Sequence, residues 1–336
     1  YEMRQFTPGP DVTREIAFDG KRVPFGPQIL FVSRETKDLV VSAEICEDVW
    51  SPVPPSIRAA LEGALILVNC SASDETIGKD RYREGLISGQ SARLIAGYVY
   101  ANAGEGESTT DVVFGGHNLI AENGTILKSS GRFVNETIYS EIDIRRLLSE
   151  RRKNTTFRSA LHRTLPAVFF SAKEEKTVLT REFSPAPFVP QNERERADRC
   201  EEILMIQAMG LKKRLLHTKT TSAVVGISGG LDSTLALLVT AKAFDMARIP
   251  RANIHAVTMP CFGTTDRTYQ NACRMSEKLG ATLMEVPIRE AVTVHFRDIG
   301  QDLEDHSVTY ENGPARVGTQ VVDERAKKTW WPVIGT

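Results

Sequence analysis

The chain has 336 residues, with 42 lysines and arginines against 43 aspartates and glutamates and a formal charge of −1 at neutral pH. That balance argues against a general binder of nucleic acid or anionic membrane, which would carry a basic surplus. The 41% hydrophobic and 25% charged composition excludes disorder, collagen and coiled coil.

No apolar run approaches the roughly 18 residues of a membrane span, and YEMRQFTPGPD lacks the apolar centre of a signal peptide. A start at Tyr1 rather than Met is expected of a fragment. At roughly 100–200 residues per domain, the length predicts two domains. Cys46, Cys70, Cys200, Cys261 and Cys273 are scattered and show no zinc-site spacing, so a reducing, cytoplasmic compartment is expected.

In chain order, DLVVSAEIC (38–46) predicts a strand ending at the acidic pair Glu47 and Asp48. ALILVNCSAS (64–73) predicts a second buried strand that runs into small polar residues. RYREGLISGQSARLIAGYV has helical spacing, and YVYANAG reads as another strand. TDVVFGGHNLIAENGTILKSS predicts a hairpin turning at Asn123-Gly124. Pro185, Pro187 and Pro190 then exclude a helix or central strand, placing a linker at 183–192 between domains 1–182 and 193–336.

Beyond the linker, Cys200, Leu204, Gln207, Leu211 and Leu215 are predicted to line one face of a helix over 192–217. AVVGIS (223–228), NIHAVTMP and ATLMEVPI predict strands, alternating with helices LDSTLALLVTAKAFDMA and DRTYQNACRMSEKLG. This alternation predicts a parallel sheet covered on both faces, with a ligand beyond the carboxyl ends of its strands.

VVGISGGLDSTLAL carries the sharpest chemistry. A β-branched strand runs into Ser228-Gly229-Gly230, and a helix begins near Leu231. Glycines let backbone turn tightly and let a ligand approach, while the free N–H groups of a first helical turn favour an anion. Ser228 and Ser233 add hydroxyls, whereas Asp232 would repel a phosphate unless a cation bridges them. An isolated Gly-Gly reads more readily as an ordinary strand-to-helix turn with a capping serine, but the whole string SGGLDS at a strand-helix junction reverses that and points to phosphate. With no lysine after the glycines, it is not the loop of kinases and GTPases. It resembles the pyrophosphate loop of the ATP pyrophosphatases, which cleave ATP between the α and β phosphates.

Cys46 ends a predicted strand before a Pro-rich turn. A nucleophile fits such a place, since the strand holds it rigidly and the turn opens a pocket, but most free cysteines are small buried hydrophobes. From position alone both readings stand.

EICEDVW, NCSASDETIGK and YVYANAGEGESTTDVVFGG resemble the glutaminase domain of the glutamine-dependent NAD(+) synthetase family, part of the nitrilase superfamily. SGGLDS, MPCFGTTDRT and TYENG resemble the synthetase domain of the same family, in the same order and over nearly the whole chain. The resemblance implies an α/β fold: a partial nitrilase-like αββα sandwich, then a doubly wound parallel-sheet domain of the adenine-nucleotide α-hydrolase type, both truncated.

It also implies roles. Cys46 falls on the nucleophile of a Glu–Lys–Cys triad whose base glutamate and lysine lie upstream of Tyr1, and Glu2 on a supporting glutamate. Ser73 and Lys79 fall on glutamine contacts, Lys79 as a point charge for the ligand carboxylate. Glu105 and Glu107 are either pocket-rim residues or solvated loop charges. Gly226, Ser228, Gly229, Gly230, Leu231, Asp232, Ser233, Met259 and Thr336 match ATP contacts, with Thr264 nearby, and Asn312 matches a deamido-NAD contact. Mg²⁺ is expected beside the phosphates, with its ligands unassigned. Gly318 stands where a second arginine is expected, and Trp330-Trp331-Pro332 where Gly-Gly and a small apolar residue are expected.

The implied function is ATP-dependent amidation of deamido-NAD to NAD(+) with ammonia released from glutamine, giving AMP and pyrophosphate. The implied assembly is a homo-oligomer acting on small molecules, without nucleic acid or membrane. The alternatives are another amidotransferase on the same phosphate loop, and an inactive nucleotide-binding remnant. With the upstream glutamate and lysine outside the sequence, the 336 residues alone are expected to turn over little or nothing.

Overall fold

Two-residue turns with left-handed backbone set two hairpins of the first half. The computed structural model describes residues 7, 9–36, 38–107, 112–157, 163–173, 175–176 and 178–335. It divides into two units, Tyr1–Phe183 and Ser184–Thr336. Strands β1 (Arg14–Phe18) and β2 (Lys21–Phe25) turn on Asp19 and Gly20, at φ 47° and 69°. Such turns match the twist of the strands they join. The sequence reading had not marked this pair.

The main sheet of the first unit contains β3 (Leu30–Ser33), β4 (Val40–Ile45), β5 (Ile66–Ser71), β6 (Gly97–Asn102), β7 (Leu119–Glu122), β8 (Thr125–Ser129) and β9 (Ala167–Phe170). Its order is β8-β7-β6-β5-β4-β3-β9. The pairs β3–β9, β4–β5 and β5–β6 are parallel, and the other three are antiparallel. Asn123 and Gly124, at φ 45° and 89°, make the β7–β8 turn that their sequence predicts. The VVFGG end (112–116) of that predicted hairpin is not strand. Phe114 forms one bridge to Asp74, and Gly116 at φ 65° turns the chain out of extended geometry.

Helices α1 (Pro55–Leu61), α2 (Lys79–Leu94) and α3 (Ile144–Lys153) complete this unit. Val40, Leu67, Ile87, Tyr98 and Leu119 belong to its core. Along the buried positions of β4 and β5 the residues change from Val40 and Leu67 to Glu44 and Asn69 toward the carboxyl ends. The interior therefore turns polar where Cys46 emerges.

In the second unit α4 (Glu193–Thr218) begins at Asn192, whose side chain accepts from Arg194 and Glu195 N–H. Its inward face is Leu204, Ala208, Leu211 and Leu215, whereas Cys200 and Gln207 are exposed. The expected stripe is thus rotated, because small Ala208 is the residue packed in the core. Then follow β10 (Ala223–Gly226), α5 (Leu231–Ala247), β11 (Ile254–Thr258), α6 (Asp266–Leu279), β12 (Thr282–Glu285), α7 (Arg289–Ile299), α8 (Val308–Thr329) and β13 (Val333–Ile334).

The four strands are all parallel in the order β12-β11-β10-β13. Ala223 and Val225 pack with α4 and α5, while Val224 and Val257 pack with Val322 and Ala326 of α8. Both faces are covered, and the strand order reverses at β10, which is where an open parallel sheet leaves a crevice.

Candidate functional site

In the first unit Cys46 opens a 3-10 turn, Cys46–Trp50, directly after β4. Its φ is 48°, in the left-handed region that a β-carbon makes costly. The thiol is free and half-buried. Asn69 in β5 accepts from Cys46 N–H at 3.0 Å and donates to the Cys46 carbonyl at 3.2 Å. Asp48 accepts from Ile45 N–H at 2.8 Å, closing the turn from the other side.

Ser73 is buried in the loop after β5, and Asn102 holds it by accepting from its N–H at 2.8 Å and donating to its carbonyl at 3.1 Å. The Lys79 ammonium donates to Asp74 at 2.6 Å and stands 5.7 Å over the Trp50 ring, which itself stacks on Tyr82 at 5.1 Å. This hydrogen bond holds the Asp74 carboxyl below its ordinary range. Trp50 thus ties the cysteine turn to the first turn of α2. Lys79 has a carboxylate partner already, so any ligand carboxylate it receives competes with Asp74.

Behind this loop lies a buried charged cluster. Arg83 is fully buried, 2.8 Å from Glu75, and its Nη1 is 3.1 Å from His117 Nδ1. Burial, then the Arg83 charge, lowers the His117 pKa. Gly115 makes room here, since a β-carbon would lie 2.5 Å from the Glu75 carboxylate and push that side chain aside. Glu105 and Glu107 are exposed loop residues, and Glu2 lies outside the described residues.

In the second unit the chain leaves β10 at Gly226 and turns through Ser228-Gly229-Gly230 into α5. Gly229 has φ 80°, and a β-carbon there would meet the Thr268 carbonyl oxygen at 2.0 Å, so only glycine fits. Ser233 Oγ accepts from Ser228 N–H at 3.2 Å and lies 3.1 Å from Ser228 Oγ. The hydroxyls brace the turn, and the first-turn N–H groups of a 17-residue helix follow it.

Beside the turn is a cavity of about 800 Å³ lined by Gly226, Ser228, Ser233, Met259 and Thr264, all singled out from the sequence. Gly229, Gly230, Leu231 and Asp232 form the turn and helix start without lining it. Asn312 is exposed and off the cavity face of α8. That face is Glu311, Pro314, Ala315, Gly318, Thr319 and Val322, a 3.6-residue stripe that the sequence reading missed. Gly318 is buried, with its β-carbon position 3.5 Å from Met259. Thr336 lies outside the described residues.

Among the described residues no three His, Cys, Asp or Glu side chains gather in a metal-holding group. Asp232 supplies one exposed carboxylate at the phosphate loop, which suits a magnesium ion that takes one or two carboxylates and completes its shell with phosphate and water. Among the described residues no helix is long and apolar enough to cross a membrane.

Residues 204–336 match the NAD synthase family. Over its whole length the chain is 41% identical across 350 positions to the glutamine-dependent NAD(+) synthetase of Mycobacterium leprae and covers 52% of it. It is 37% identical across 351 positions to that of Mycobacterium tuberculosis H37Rv, again covering 52%. The solved glutamine-dependent NAD+ synthetase from Acinetobacter baumannii in complex with ADP is 18% identical, with a TM-score of 0.37 over 99% of this chain and 51% of that one. The chain spans about half the length of the curated relatives it matches.

Proposed function

We propose that the chain is part of a glutamine-dependent NAD(+) synthetase, the family its 41% identical relative belongs to, and that the whole protein amidates deamido-NAD to NAD(+) with ATP and glutamine-derived ammonia. The observation that carries this is Cys46, a free cysteine held in left-handed backbone at a strand end, in one chain with the SGGLDS turn.

In the first unit Sγ of Cys46 attacks the side-chain amide carbon of glutamine. A C–S bond forms, the carbonyl π pair moves onto oxygen, and collapse expels ammonia once its nitrogen is protonated. Water then cleaves the thioester to glutamate and returns the thiol. The buried Ser73 loop and Lys79 hold the substrate's amino-acid end.

In the second unit ATP occupies the cavity with its phosphates over Ser228–Ser233. The N–H groups of α5 and the two hydroxyls face negative oxygen there. The nicotinate carboxylate attacks the α-phosphorus, pyrophosphate leaves, and ammonia displaces AMP to form the amide. Asp232 would hold Mg²⁺, which supplies charge neutralisation at the phosphates when bound.

The test is AMP release by the whole protein, wild type beside Cys46→Ala. Loss with glutamine and retention with ammonium chloride assigns both units. Full glutamine-driven activity in Cys46→Ala rejects the proposal.

A further inference from the structure

A residue in left-handed backbone costs about 1–2 kcal/mol without a glycine, so neighbours must hold Cys46 there. One side chain grips it on both sides. Asn69, 1% exposed, takes the Cys46 N–H on Oδ1 and gives Nδ2–H to the Cys46 carbonyl. A side-chain amide is suited to this, because it carries an acceptor and a donor fixed in one plane.

The amide cannot turn over. Ser71 donates to Oδ1 at 2.8 Å, and Nδ2 reaches the Tyr98 hydroxyl at 3.3 Å. That hydroxyl gives its own proton to Glu44, leaving a lone pair for Asn69. The second Glu44 oxygen accepts from Ser56 N–H at 2.8 Å, and Gln90 donates to the Ser56 hydroxyl at 2.9 Å. Every member of this chain is buried. A polar network so placed, fully partnered at Asn69 and ending on one backbone peptide, fixes geometry beyond what apolar packing would need.

We propose that Asn69 is the positioning residue of the amidase: it sets the Cys46 peptide and so the direction from which Sγ meets the substrate carbon. This rests on the reading of Cys46 as nucleophile. Asn69 touches neither substrate nor Sγ in this role, and its effect falls on kcat with glutamine. A displacement of about 1 Å in a reacting group costs on the order of 10²-fold.

The experiment uses the whole protein. Asn69→Ala is expected to lower glutamine-driven kcat about 10²-fold, with KM for glutamine and ammonium-driven AMP release each within about two-fold of wild type. In Asn69→Asp the carboxylate keeps the acceptor for Cys46 N–H but sets a lone pair against the Cys46 carbonyl. Protonation restores the donor, so its glutamine-driven rate relative to wild type should climb as pH falls from about 8 to 6, with Glu44, Tyr98 and Cys46 as the surrounding titratable groups. Unchanged kcat in Asn69→Ala, or an Asn69→Asp profile parallel to wild type, overturns the proposal. Should Asn69→Ala lose ammonium-driven activity as well, Ser71→Ala decides. That variant removes only the 2.8 Å bond to Oδ1, and it should cost about three-fold in glutamine-driven kcat; no loss overturns the proposal. Retained glutamine turnover in Cys46→Ala overturns the nucleophile reading instead, which separates the two failures.

Discussion

Replacing Arg151 by alanine should unfold the first unit more readily than any exposed substitution in α3. Arg151 is 6% exposed, and its guanidinium donates to Ala60, Ala64, Leu94 and Ile95 carbonyls at 2.7–3.2 Å. Ala60 lies in the last turn of α1, and Leu94 ends α2. The cation therefore answers the orphan carbonyls and the negative ends of two helix dipoles with one side chain. Burial lowers its pKa to about 10, which still leaves it charged at neutral pH. It also lies 4.8 Å over the Phe157 ring.

Hydrogen bonds to a charged group contribute about 1.5–3 kcal/mol each net of desolvation, and removing one partner of a buried charged arrangement typically costs about 3–5 kcal/mol. At about 2–4 °C per kcal/mol for a domain of this size, the melting point of the first unit should drop about 6–20 °C. Amide exchange in α2 and β6 should accelerate in parallel, while second-unit amides stay as they are. Arg151→Lys should lose less than Arg151→Ala, since an ammonium keeps the charge and part of the bonding, although it reaches fewer carbonyls at once. A shift under about 2 °C in Arg151→Ala would refute the reasoning and mean that water, entering the 470 Å³ cavity beside Arg151, satisfies those carbonyls equally well.

Gly229→Ala should weaken ATP binding at least about ten-fold, or about 1.4 kcal/mol, because the new methyl group collides with the Thr268 carbonyl and displaces the turn; an unchanged Kd by calorimetry rejects this. His117 is neutral in the fold, with Arg83, Glu84, Glu75 and Asp80 around it, because burial and then the Arg83 charge hold its pKa below the ordinary 6.5 of a histidine. The unfolded chain therefore binds the proton first as pH falls, so this contribution is present above pH 6.5 and is lost below it through the folded pKa. Melting curves from pH 7 to 5 should fall less steeply for His117→Gln than for wild type, and identical slopes would contradict the assignment. Trp330 caps α8 at φ 58° with its side chain 90% exposed. Trp330→Gly should thus stabilise the second unit by about 1 kcal/mol, read as a melting point about 2–4 °C higher, and a lower value would show that the indole makes contacts that matter.

Local chemistry made much of this legible from sequence. Asn123-Gly124 specified its turn, LDSTLALLVTAKAFDMA coincides with α5, and SGGLDS marked the turn whose Ser228 and Ser233 line the cavity. What escaped depends on partners distant in the chain. Asn69 is a polar residue near the end of a largely apolar strand, and nothing nearby announces that Cys46, 23 residues away, is its partner. Arg83 and Arg151 sit in charge-rich helices where surface and buried arginines look alike. Asn312-Gly313-Pro314 carries residues that usually break helices, yet lies inside α8. There Gly313 lets Phe296 come within 2.2 Å of the missing β-carbon position, so packing of α7 on α8 overrides the local preference.

The grip on the cysteine turn has an electrostatic corollary. Cys46 N–H is spent on Asn69 and Ile45 N–H on Asp48. With Cys46 as the nucleophile we propose, an oxygen turning negative over the sulfur can draw on neither, although a single well-aimed donor is worth about 10²–10³ in rate. Amides ahead of the sulfur keep its shape, and the stabilisation of that charge falls to N–H groups later in the turn or on another segment.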